Sequence, residues 1–127
     1  THSANPIACA AGKAVLEEIK SRDLIQASAI KGELLHKLLS NLISFYPDKV
    51  DRVLGKGLIA ALYFKDTTGL TKEKFASLFA LRCMHKGVLV VHTGRETVKL
   101  GPPLTIPEDA IIEAVEVMAE VIESISA

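Results

Sequence analysis

The first residues of the chain have the types that could bind an anion at the start of a helix. Asn5 is a good N-cap, because its side-chain oxygen can accept a hydrogen bond from a first-turn amide. Pro6 suits the first helical position, where no N–H is needed. With the hydroxyls of Thr1 and Ser3 just before it, this helix end is a candidate phosphate site, since its amides and its dipole favour negative charge. A cap that binds nothing is the simpler interpretation of this stretch taken alone.

Lys99 is the second residue with candidate chemistry, because a stiff segment follows it. Pro102 and Pro103 each fix their own φ and keep the preceding residue out of the helical region. A strand that ends in a cation and leads into such an elbow could hold the ammonium over a cleft and aim it at an anionic group. The alternative is an ordinary strand lysine beside a rigid turn.

The sequence favours no other catalytic or metal-binding pattern. His85 follows Cys83 by two residues, but no His-x-x-x-His pair, carboxylate cluster or paired CxxC supports a metal site. There is no Gly-x-Ser-x-Gly elbow, and the Gly-Lys-Gly at residues 55–57 lacks the length of a P-loop and its Ser or Thr. We therefore expect no metal, and we expect Cys9 and Cys83 to be buried free thiols in a reducing cytoplasm, with a disulfide between them as the alternative.

Composition sets limits on the class of protein. The 127 residues suit a single domain, and 49% of them are apolar but only 5% aromatic, so the core must be aliphatic. The 15 basic and 15 acidic residues cancel, which gives no electrostatic footprint for nucleic acid or an anionic membrane. No apolar run approaches the roughly 18–20 residues that span a bilayer. We expect a cytoplasmic location.

Periodicity predicts four helices, over residues 6–21, 23–46, 71–86 and 107–124. Asp23 and Gln26 resemble a capping box that would open the second helix. Glutamates at three- and four-residue spacing in the last helix predict a solvated face. The core stripe predicted for the second helix consists of Ala27, Ile30, Leu34, Leu38 and Leu42, widened by Leu35, Leu39 and Phe45.

About three strands are predicted between these helices. The apolar run 58–64 is bounded by turn residues, and the glycines at 55 and 57 suggest a bulge or a close backbone approach at its start. Strands over 88–92 and 97–100 would form a hairpin through the turn at 93–96. The order α-α-β-α-β-β-α predicts an α+β fold, a small antiparallel sheet with helices packed on it.

Taken together, three stretches resemble the C-terminal small domain of the class III aminotransferases, fold-type-I enzymes that use pyridoxal phosphate. THSANPIACAA (residues 1–11) is similar to the family's Thr-x-Gly/Ser-Gly-Asn-Pro segment and its alanine-rich helix. RVLGKGLI (52–59) is similar to its Arg-Gly-x-Gly-Leu strand entry, and VKLGPPLTI (98–106) to its Arg-x-x-Pro-Pro-Leu-x-Ile segment. The resemblance covers essentially all 127 residues.

The resemblance implies a role for two residues of this chain. Thr1 matches the threonine that binds the cofactor phosphate in the neighbouring subunit's active site. Lys99 lies where many members have the arginine that grips the substrate carboxylate; this departure replaces a planar bidentate fork by a point charge. The lysine that forms a Schiff base with the cofactor lies upstream of residue 1 in the family, so no catalytic residue is expected in this chain.

The resemblance also implies what the whole protein would do. The parent would be a cytoplasmic homodimer that transfers an amino group from an amino donor to a keto-acid or aldehyde acceptor. The present chain, which begins with Thr1, is expected to be an inactive part that binds the cofactor poorly and packs against its own large domain. Two alternatives stay open: an aminomutase of the glutamate-semialdehyde type, and a non-catalytic α+β binding or dimerisation module.

Overall fold

The computed structural model describes residues 5–125, which form four helices and four strands. This confirms the α+β class and the small antiparallel sheet. The elements are α1 (Pro6–Ser21), α2 (Leu24–Phe45), β1 (Val50–Lys56), β2 (Ile59–Phe64), α3 (Lys72–His85), β3 (Val91–His92), β4 (Thr97–Leu100) and α4 (Glu108–Ser124).

The sheet contains one strand more than the apolar runs predicted. Its order is β1-β2-β4-β3, and every neighbouring pair is antiparallel. The fourth strand is β1, which forms a tight hairpin with β2 in which Lys56 pairs with Ile59. Gly57 has a φ of 58° at the first central position of this turn, where a type II′ turn requires glycine. The register shift in this pair lies between Val50 and Arg52.

The core lies on one face of the sheet. Helices α2 and α3 pack on that face, and α4 packs against both of them. Phe64 points into this layer, where its ring centroid lies 4.9 Å from those of Phe75 and Phe79. Leu62 and Val98 are fully buried beside it. We call the other side of the sheet the open face; it carries the side chains of Arg52, Leu54, Lys56, Ile59, Ala61, Tyr63, Val91, Thr97 and Lys99, from the strand register.

The buried side of α2 agrees with the predicted stripe only in part. The predicted leucines are buried or pack against the core: Leu34, Leu35, Leu38, Leu39 and Leu42. Ile30 and Phe45 are 52% and 71% exposed, and the buried residues are Leu24, Gly32, Leu35, Leu39 and Leu42. The reason is a close approach between two backbones at Gly32. A Cβ built there would lie 2.4 Å from Cα of Gly57, so this glycine must face the β1–β2 turn and sets the rotation of the helix.

The predicted capping box at the start of α2 is wrong. Asp23 has a φ of 46° and a ψ of 46°, in the left-handed region, and its side chain accepts no capping hydrogen bond. Only Arg22 and Asp23 separate α1 from α2, so this residue makes the sharp turn between the two helices instead of the extended conformation of a normal N-cap.

The other helix and strand predictions agree with the structure to within a few residues. Thr71 caps α3, Gly87 follows it with a φ of 87°, and Cys83 is on its buried side. The strand predicted over 88–92 is shorter, since only Val91–His92 pairs with β4. The acidic stripe of α4 is exposed, as predicted: Glu113, Glu116, Glu120 and Glu123. No helix within residues 5–125 is both long and apolar enough to cross a membrane.

Candidate functional site

The first turn of α1 is closed by its own cap. The Oδ1 atom of Asn5 accepts hydrogen bonds from the amides of Ile7 at 2.9 Å and Ala8 at 3.4 Å. The carbonyl oxygen of Asn5 accepts from the amide of Cys9 at 2.9 Å, and Pro6 has no N–H. The predicted N-cap is therefore confirmed. These contacts leave no first-turn amide free for an anion.

A phosphate contact at this end of the chain would thus depend on the residues before the cap. Thr1 and Ser3 lie outside the described residues 5–125. The phosphate-binding role of Thr1 stays a prediction, and the occupied amides of α1 indicate that a hydroxyl, not the helix end, would make the contact.

Lys99 lies on the open face of the sheet, near its centre. In the register of β4 it is flanked by Ala61 on β2 and Val91 on β3. Its neighbours in sequence, Val98 and Leu100, point to the opposite face and are buried. The ammonium group of Lys99 is exposed and has no hydrogen-bond or ion-pair partner among residues 5–125. The side chain is therefore available to a ligand from outside the described part of the chain.

The segment after β4 leads from the strand that carries Lys99 into a turn, while the ligand-binding role of Lys99 stays a prediction. The carbonyl of Pro103 accepts a hydrogen bond from the amide of Ile106 at 2.9 Å, which closes a turn directly before α4. A mostly apolar cleft of about 610 Å³ opens beside this elbow, between the free edge of β3 and α4. Lys99 is at its margin, together with Lys86 and Glu113.

Tyr63 and Arg52 share the open face with Lys99, and the sequence alone does not indicate a role for either of them. The guanidinium carbon of Arg52 lies 4.3 Å from the ring centroid of Tyr63, a cation–π contact. Arg52 also pairs with the carboxylate of Asp51. Alternation along Ile59–Phe64 could have indicated this face, because it places Tyr63 opposite to the buried Leu62 and Phe64.

The two cysteines have opposite environments. Both are free thiols, but Cys9 is exposed on α1, contrary to the prediction that both are buried, because α1 does not pack into the core. Burial raises the pKa of the Cys83 thiol from an ordinary value of 9.0 to about 12, so this group is not a nucleophile at neutral pH.

No metal cluster occurs within residues 5–125, where the structure brings no three His, Cys, Asp or Glu side chains together. His92 makes a contact within the β3–β4 turn, where its Nε2 atom lies 3.0 Å from the carbonyl oxygen of Arg95. That contact closes the hairpin and gives the ring a structural role.

Lysines with a partner are used in structural contacts. The ammonium group of Lys49 donates to the carbonyls of Ile122 and Ile125, each at 2.8 Å. Lys65 donates to the carbonyl of Pro47, and Lys86 pairs with Glu120. The ammonium groups of these lysines are occupied by structural contacts, and none of these contacts is with a reacting group.

Comparison with known proteins identifies the family. The family model described as aminotransferase class-III matches residues 1–122. An acetylornithine aminotransferase of Prochlorococcus marinus is 34% identical over 111 residues, which are 87% of this chain and 26% of that protein. The mitochondrial ornithine aminotransferase of Rattus norvegicus is 35% identical over 124 residues, 98% of this chain and 27% of that protein.

Solved structures agree with these sequence matches. The crystal structure of acetylornithine aminotransferase from Elizabethkingia anophelis superposes with a TM-score of 0.85 at 28% identity, over 94% of this chain and 29% of that one. The chain thus spans about a quarter of the length of the relatives that it matches. On the match over residues 1–122, the chain belongs to the class III aminotransferases, a family whose cofactor is pyridoxal phosphate.

Proposed function

We propose that the chain is the C-terminal small domain of a homodimeric aminotransferase whose large, cofactor-binding domain lies outside these residues. The family match over residues 1–122 carries this proposal, together with the quarter of each relative's length that the chain covers. The parent transfers an amino group from an amino donor to a keto-acid or aldehyde acceptor. Likeness at the sequence level argues against a non-catalytic module that shares only the fold.

The described residues do not by themselves fit a pyridoxal phosphate site. The first-turn amides of α1 are occupied by Asn5, and Lys99, the lysine with a candidate role, is on an exposed sheet face. The bound cofactor would supply an electron sink for the reacting carbon. In the parent, this chain would contribute the Lys99 ammonium to hold an anionic group of the substrate and the Thr1 hydroxyl to bind phosphate in the partner subunit.

The isolated chain is accordingly inactive and binds the cofactor poorly. The test is to mix the chain with pyridoxal phosphate, remove free cofactor by dialysis, and record the visible absorbance before and after borohydride reduction. We expect no retained band and no covalent label. One cofactor fixed per chain at a single lysine would contradict the assignment of the reactive lysine to the large domain.

The role of Lys99 is tested in the parent enzyme with two classes of donor. Lys99→Ala is expected to lower kcat/KM about tenfold or more for a donor that bears a carboxylate, because a charge-assisted contact is lost. A diamine that lacks a carboxylate should react at nearly the same rate. An equal loss for both donors would refute a substrate-binding role for this lysine.

We propose a donor of the ornithine type for the parent. Relatives of this chain are named acetylornithine, ornithine and putrescine aminotransferases, the last at 29% identity over 128 residues. Half-reaction spectra of the parent against a panel of amino acids and diamines would identify the donor. We also place the parent in the cytoplasm, although several relatives are named as mitochondrial.

A further inference from the structure

The lysine at position 99 can satisfy only part of a carboxylate. An arginine presents two parallel N–H donors that hold both carboxylate oxygens in one plane, whereas an ammonium is a compact point charge. A carboxylate bound by Lys99 alone would keep its second oxygen without a fixed donor. A site that orients its ligand here needs a second donor on the open face.

Tyr63 has the position that such a donor requires. Ala61 pairs directly with Lys99, and Tyr63 is two residues further along β2, so it is the diagonal neighbour of Lys99 on the same face. Diagonal neighbours in an antiparallel pair lie about 7–8 Å apart, with a somewhat shorter distance between their Cβ atoms. Strand side chains stand roughly perpendicular to the sheet, so the side chains of Tyr63 and Lys99 both project from the open face, with Ala61 beside them.

The ring of Tyr63 is held in place from the far side. The guanidinium of Arg52 lies over it at 4.3 Å, and Arg52 is itself paired with Asp51. Thr97, directly opposite Tyr63 on β4, is only 7% exposed. Among residues 5–125 the Tyr63 hydroxyl has no hydrogen-bond partner. The donor is thus positioned in advance, so little side-chain entropy is lost when a ligand binds.

We propose that Tyr63 and Lys99 bind one carboxylate together above Ala61. The Lys99 ammonium donates to one oxygen, and the Tyr63 hydroxyl donates to the other. The small side chain of Ala61 leaves the space between them open. Tyr63 thereby acts as a specificity-determining residue, and the pair replaces the two donors of a single arginine. That the carboxylate belongs to an amino donor or acceptor rests on the proposed function; the binding site itself does not.

The test is a titration of the chain with acetate at constant ionic strength, followed by amide NMR shifts, with chloride as the reference anion. We expect saturable shifts at Ala61, Tyr63 and Lys99 that chloride does not produce. Tyr63→Phe should weaken acetate binding about fivefold, since one hydrogen bond is lost while the ring remains. Tyr46→Phe, at the only other tyrosine, is the matched control and should change nothing.

The same Tyr63→Phe change in a Lys99→Arg variant tests whether Tyr63 and Lys99 bind the two oxygens of one carboxylate. In Lys99→Arg the guanidinium supplies both donors, so adding Tyr63→Phe should change acetate affinity less than about twofold. Shifts equal to those with chloride, or the same loss from Tyr63→Phe in both backgrounds, would overturn the proposal. If the parent transfers no amino group from any donor, the proposed function fails, while the acetate result on the chain is unaffected.

Discussion

Two glycines inside helices have opposite surroundings, which predicts opposite effects of one substitution. A Cβ at Gly32 would lie 2.4–2.6 Å from backbone atoms of Gly57, whereas one at Gly12 would meet nothing within 4 Å. Gly32→Ala should therefore destabilise the chain by about 1–3 kcal/mol, despite the better helix propensity of alanine. Gly12→Ala should be neutral or stabilising by up to about 1 kcal/mol.

Urea unfolding of the two glycine variants measures this difference. The pair is matched, because both changes add one methyl group to a helix and alter no charge. Equal midpoints for the two variants would show that α2 does not approach the β1–β2 turn as closely as Gly32 and Gly57 indicate.

The two thiols should differ in reactivity by orders of magnitude. Cys9 is exposed, while Cys83 is fully buried and burial raises its pKa to about 12. A thiol reagent at pH 8 should label one cysteine per folded chain and two in urea, because the thiolate is the reacting species. Rapid labelling of both sites in the folded chain would contradict the packing of α3.

The same thiol predicts a pH effect on stability. The folded chain keeps Cys83 protonated to a higher pH than the unfolded chain does, because burial raises the pKa of this thiol. The contribution of Cys83 to the free energy of unfolding is therefore full below pH 9 and declines as the pH rises toward 12. Between these values the free energy of unfolding should fall more steeply with pH in the native sequence than in Cys83→Ala. Identical slopes would show that this thiol titrates normally.

At the scale of elements, the C-terminal end of α4 is capped by cations from elsewhere in the fold. Its last turn contains no basic residue. Lys49, between α2 and β1, donates to the carbonyls of Ile122 and Ile125 at 2.8 Å, and Arg82 of α3 donates to the carbonyl of Ser124 at 2.7 Å. These contacts satisfy carbonyls that a helix end leaves free, and they complement its dipole.

Removal of the Lys49 cap should therefore be costly. Lys49→Met is expected to destabilise the chain by about 1.5–3 kcal/mol, the range for hydrogen bonds to a charged group. Lys86→Met, which removes an exposed ion pair with Glu120, should cost less than about 1 kcal/mol. Thermal unfolding of both variants gives the comparison, and a cost for Lys86→Met as large as that for Lys49→Met would contradict the capping role.

What could be predicted from the sequence differs between elements for physical reasons. The predicted start of α1 is correct because Asn5 acts through local hydrogen bonds and Pro6 through its fixed φ. The predicted buried side of α2 is correct for its leucines but wrong for Ile30 and Phe45, because the contact between Gly32 and Gly57, distant in sequence, sets the rotation of the helix. The strand β1 was missed as a strand because its open-face residues break the apolar pattern.

The candidate site also contains residues that can be predicted from a short segment and residues that cannot. Lys99 and the proline elbow were recognised because their chemistry is visible in a short segment. Tyr63 and Arg52 were not, because they join Lys99 only through the strand order β1-β2-β4, which the sequence does not state. A residue pair that forms across strands can be found only once the register is known.

At the scale of the whole molecule, α1 stands apart from the core. Within the described residues it contacts no element except α2, none of its sixteen residues is buried, and Ile7 and Val15 are 81% and 57% exposed. The hydrophobic core lies among the remaining helices and the sheet. The apolar residues of α1 therefore add little to the stability of the isolated chain.

Hydrogen exchange of the isolated chain should reveal this separation. A helix of this length is marginal in water without tertiary packing, so we expect the amides of α1 to exchange through local opening. The amides of β2 and the buried part of α2 should be protected by orders of magnitude more, since they open only with the core. Amides of α4, a helix of similar length that packs on the core, are the internal control. Equal protection of α1 and α4 at low protein concentration would contradict this prediction. It would mean that the apolar side of α1 is covered within one chain, whereas the structure of residues 5–125 leaves that side exposed.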